Sequence, residues 1–66
     1  MTISDFTQPE LQHFRDTCNF VNFEVEIFEQ RAKGIPLDII AENLHISYDY
    51  ARQLSRKVNK KIIKVL

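Results

Sequence analysis

Apolar residues spaced three and four apart across the last third of the chain constrain its fold most. At about 100° per residue, Ala51, Leu54, Val58, Ile62 and Val65 fall on one face of a helix, while Asp49, Arg52, Gln53, Arg56, Lys60 and Lys64 centre on the other. Such a helix needs other elements to cover its apolar stripe, and it leaves a polar face in water. Ser47 is placed to cap it through its hydroxyl, and Asp49 puts negative charge near the positive end of the helix dipole. The pattern predicts a helix over about residues 47–64.

Three shorter segments share the helical period. Thr7, Pro9 and Glu10 make a helix start with capping-box spacing, Leu11, Phe14 and Cys18 supply its apolar face, and Asn19 suits a left-handed exit. This predicts a helix over about 9–18. Phe20, Ile27, Phe28 and Ala32 define the stripe of a second helix, about 23–33, with Asn22 as its cap and Gly34, the single glycine, at its end. Pro36 and Asp38 open a third, about 37–43, carrying Leu37, Ile40, Ala41 and Leu44. Only Leu44-His45-Ile46 then separates it from the last helix, a connection short enough for a helix–turn–helix corner, across which Ala41 and Ala51 allow close approach. Residues 1–7 show no period and read as a loose lead-in anchored by Phe6. With no strand-like alternation and no repeat, the expected fold is all-α, a compact four-helix domain spanning residues 1–66 with a helix–turn–helix motif.

A chain of 66 residues buries only about 60% of its unfolded surface, so a second copy or a partner would add needed stability. The lone Cys18 excludes an internal disulfide and fits a reducing cytosol. The opening Met1-Thr2-Ile3-Ser4-Asp5 lacks the basic start of a signal peptide, and no apolar run nears the roughly 20 residues of a membrane span. A soluble, cytoplasmic protein is expected. Net charge is zero, but residues 1–30 carry six acids against Arg15 alone, a balance of −5, whereas residues 51–66 carry Arg52, Arg56, Lys57, Lys60, Lys61 and Lys64 without an acid, a balance of +6. A lysine-rich terminal helix can be no more than a solvated face; the concentration of base on one amphipathic element is also the footprint of a nucleic-acid surface.

Gly34, Ile39, Ile40, Ala41, Leu44, Ile46, Ser47, Tyr50, Ala51 and Arg52, in that spacing, resemble the helix–turn–helix core of LuxR-type regulators and of region four of bacterial sigma factors. Phe20 to Phe28 resembles the segment preceding that core, and Arg52-Gln53-Leu54 followed by Arg56 and Lys60-Lys61-Ile62 is closer to the sigma recognition helix. In size the chain is similar to small sigma-like regulators of Gram-positive bacteria and their phages. The resemblance implies a role in transcription, with Tyr48, Asp49, Arg52, Gln53 and Arg56 on the groove-facing surface. Pro36 stands where a capping serine is common, His45 replaces a frequent turn glycine, and Tyr50 replaces a smaller residue. LuxR-type domains also carry a further dimerisation helix that has no counterpart here.

The expected DNA-binding residues are Ser47, Tyr48, Asp49, Arg52, Gln53, Arg56, Lys57 and Lys60. Arg52 and Gln53 have the donor geometry for guanine and adenine edges, whereas Arg56, Lys57, Lys60, Lys61 and Lys64 suit phosphates or simple solvation. Tyr48 reads as the better contact and Tyr50 as the better packer. Glu24, Glu26 and Glu29 read as a solvated face. His13, His45 and Cys18 stand apart from any complementary group, so no catalytic, cofactor or metal site is expected. Ile39 and the terminal Ile62, Ile63, Val65 and Leu66 suit a homodimer contact or docking on a larger protein such as RNA polymerase, and the acidic half would suit a basic protein partner. The rival to a DNA-binding regulator is a protein-interaction module or adaptor that uses the same scaffold without DNA.

Overall fold

A computed structural model of the chain describes residues 2–66. Four helices follow one another: α1 (Gln8–Thr17), α2 (Phe23–Ala32), α3 (Leu37–Leu44) and α4 (Tyr48–Val65), with no strand among the described residues. The fold is all-α, and each helix begins and ends within a residue of the range expected from its period and caps.

The caps explain that agreement. Thr7 Oγ1 accepts from the Glu10 N–H at 3.4 Å while the Thr7 N–H donates to Glu10 Oε1 at 2.8 Å, closing the box that starts α1. At the end of α2, Gly34 adopts φ +83°, which lets the Gly34 N–H reach the Arg31 carbonyl and the Ile35 N–H reach the Gln30 carbonyl. His45 performs the same turn after α3 at φ +58°, with the Ile46 N–H donating to the Ala41 carbonyl and the His45 N–H to that of Glu42. Ser47 Oγ accepts from the Tyr50 N–H at 3.1 Å and starts α4.

Two local expectations fail. Asn22 does not cap α2 through its side chain; it sits at φ +50°, ψ −130°, and Glu24 instead accepts the Val21 N–H at 3.2 Å. Nor is the lead-in loose as far as it is described: Ile3–Asp5 forms a 3-10 turn, with Ile3 buried and the turn packed on α2. One isoleucine among polar neighbours has no period to reveal it. Phe6 anchors as expected, edge-on to Phe14 at 4.9 Å. Met1 lies outside the described residues.

Helix α4 packs against α1, α2 and α3 through Ala51, Leu54, Val58 and Ile62, all buried. Ile27 and Phe28 from α2 and Ile40 and Ala41 from α3 complete the centre, with Leu11, Phe14 and Cys18 from the first helical segment. Arg15 clamps α1 to α2 through a bidentate pair with Glu29 at 2.7 and 2.8 Å, and Asn43 ties α3 to Gln30 at 2.9 Å. Among the described residues no helix is long and apolar enough to cross a membrane.

Candidate nucleic-acid interface

With its apolar stripe buried, α4 turns the opposite face to solvent. Asp49, Arg52, Gln53 and Arg56 are all exposed and together line one shallow recess over the first two turns. Arg52 lies 4.0 Å from Asp49, and its guanidinium sits 6.0 Å from the Tyr48 ring, so the side chain is drawn across the start of the helix. Tyr48 is exposed, as its reading as a contact requires, and Ser47 is engaged as the cap. Lys60 and Lys64 continue the exposed face towards the far end; Lys57 is exposed on the flank nearer α2.

Lys61 departs from the expected basic row. Its ammonium turns inward, 2.5 Å from Glu24 Oε1 and 3.0 Å from the Asn19 carbonyl. Glu24 is correspondingly no part of a solvated face: it is buried at 5% exposure. Burial pushes its carboxyl up, but the Lys61 hydrogen bond, the Val21 N–H and the charges of Lys61 and Lys57 outweigh this and hold it below its ordinary value. Glu29 is likewise held down, by the Arg15 guanidinium against opposing burial, and only Glu26 of the three stays a free, exposed acid. Sequence alone could not assign these pairs, whose partners lie 37 and 14 residues apart.

Two apolar readings also change. Tyr50 is covered only a little better than Tyr48, 42% against 51% exposed, because the core side of α4 is filled by Ala51, Leu54 and Val58 while Tyr50 lies on the flank facing Phe23. Ile62 is fully buried, and Val65 is half-buried against the core, so neither belongs to an exposed adhesive end; Ile63, Leu66 and Ile39 do remain exposed. A residue that the sequence reading passed over is Arg31. Together with Pro36, Leu37, Asp38 and Tyr48 it lines a concavity where α2 ends and α3 and α4 begin, beside the expected interface. Its place near the end of α2, three residues before the only glycine, was the available signal.

Among the described residues no three His, Cys, Asp or Glu side chains group as metal ligands would. Cys18 is buried, and that burial pushes its thiol up, away from the reactive thiolate. No protein-family model matches the chain, and neither does any curated protein or solved structure, so the likeness to LuxR-type and sigma region-four domains rests on the residues quoted for it.

Proposed function

We propose that the chain is a sequence-specific DNA-binding regulator of transcription, not an enzyme, that places the first turns of α4 in the major groove of double-stranded DNA. The observation that carries this reading is the outer face of α4, where Arg52, Gln53, Arg56 and Lys60 stand exposed on a helix braced from behind by α2 and α3. Residues at the start of such a helix reach base edges; those further along meet phosphates. The three residues His45, Ile46 and Ser47 between α3 and α4 then form the corner of a helix–turn–helix. Fluorescence anisotropy on mixed-sequence duplex DNA at several salt concentrations tests it. Wild type is expected to bind with a negative log–log salt slope of about 0.9 per neutralised phosphate, and the folded Arg52→Ala/Arg56→Ala variant to lose that binding. Absence of binding at low salt by a helical wild type overturns it.

Ile63 supports a second reading, a protein-interaction module docking on the transcription machinery, because it is 60% exposed on the same face as Arg56 and Lys60. Ile39, Ile63 and Leu66 are the apolar residues available to a homodimer or to a larger partner such as RNA polymerase. In that case Ile63→Glu abolishes the assembly while Arg52→Ala leaves it intact, a contrast that sedimentation or titration with the purified partner reads directly.

A further inference from the structure

Asn22, Phe23 and Glu26 at the start of α2 face Tyr50 of α4 across a surface groove of about 480 Å³. Both rings are left partly open to solvent, Phe23 at 38% and Tyr50 at 42%. The only charge in the lining is the Glu26 carboxylate, which is exposed and, among the described residues, takes part in no ion pair. Asn22 adds a side-chain amide. Aromatic faces carry negative potential and attract cations, and an adjacent carboxylate adds the counter-charge. This lining suits a cation. Glu26 would repel phosphate, and Tyr50 lies roughly 120° around α4 from Arg56, on a flank that it shares with the exposed Lys57 and with Lys61, which Glu24 engages.

We propose that this groove docks an arginine side chain carried on a basic segment of a partner protein. Arginine fits better than lysine because its planar guanidinium stacks on the rings while its N–H groups meet a carboxylate edge. The balance of −5 over residues 1–30, where three of the four lining residues lie, falls to −4 with Lys61 paired to Glu24 and still favours a basic partner at longer range. This docking does not rest on the proposed DNA binding, although Tyr50 stands in the same first turn of α4.

The test is an amide-resolved NMR titration of the whole chain with an end-capped Gly-Arg-Gly tripeptide, and with Gly-Leu-Gly as its apolar counterpart. Saturable shifts are expected at residues 22–26 and at Tyr50 with the arginine peptide alone. Glu26→Gln and Tyr50→Ala, both at exposed positions, are each expected to weaken that binding about two- to fivefold at unchanged helicity. Shifts that do not saturate, equal shifts with the leucine peptide, or wild-type binding by both variants overturn the proposal. So does a response of residues 22–26 to mixed-sequence duplex DNA in place of the arginine peptide, which would make the groove a nucleic-acid contact; Tyr50, in the first turn of α4, does not count in that comparison.

Discussion

Lys61 and Lys60 are neighbours of the same type with different work. Lys60 is exposed on the outer face, whereas Lys61 holds Glu24 at 2.5 Å and the Asn19 carbonyl at 3.0 Å, locking α4 onto the start of α2. Removing Lys61 strands a carboxylate that is 5% exposed, and an unpartnered buried charge is costly. Lys61→Ala is expected to lower stability by about 1–3 kcal/mol in urea unfolding, against no more than about 0.5 kcal/mol for Lys60→Ala. The acid side of the pair sets a pH dependence. Glu24 and Glu29 both have folded pKa values below the ordinary 4.5, so the stability they contribute is fully present above 4.5 and is lost as pH falls through the folded values. Unfolding free energy is expected to fall below pH 4.5, and to fall less steeply in Glu24→Gln. None of this was legible beforehand, because helical period reports which face a residue occupies and not which distant charge it meets.

Elements, by contrast, were written in their ends. Thr7 and Glu10, Gly34, His45 and Ser47 each satisfy backbone groups that a helix terminus leaves orphaned, and these are local chemistries that a few residues specify. Asn22 failed as a cap because its backbone is turned away from a capping geometry and the Glu24 N–H it could have taken is already donated to the Val21 carbonyl at 2.9 Å. Gly34 and His45 offer a paired test, since both occupy the left-handed region at the end of a helix, one without a Cβ and one with it. A Cβ at Gly34 would meet nothing within 4 Å, so the cost of Gly34→Ala is backbone strain alone, about 1 kcal/mol. His45→Gly should remove that same strain and raise stability by about 1 kcal/mol, which in a domain of this size shifts Tm upward by about 4–8 °C. Thermal unfolding of the two variants checks both signs; a His45→Gly protein that melts lower would mean that the imidazole contributes more than its conformation costs.

At the scale of the molecule, a chain with zero net charge is polar because acids gather before residue 31 and bases after residue 50. The apolar stripe of α4 told where the helix packs, and the basic stripe told which face stays open, but the number of cations available to a ligand was overcounted by one. Lys61 is consumed within the fold, while Arg52, Arg56, Lys57, Lys60 and Lys64 keep exposed heads, Arg52 sharing its own with Asp49. This distinction separates two effects that a lysine substitution ordinarily confounds. If α4 lies along DNA, Lys60→Ala should weaken binding evenly across sequences and reduce the magnitude of the salt slope by about 1 without altering the melting temperature. Lys61→Ala should do the reverse, lowering the melting temperature and leaving the slope unchanged when measured cold enough for the variant to stay folded. Anisotropy titrations of the two variants at four or more salt concentrations resolve the difference. A slope reduced equally by both would show that Lys61 leaves Glu24 when DNA arrives, so that the clamp between α2 and α4 opens on binding.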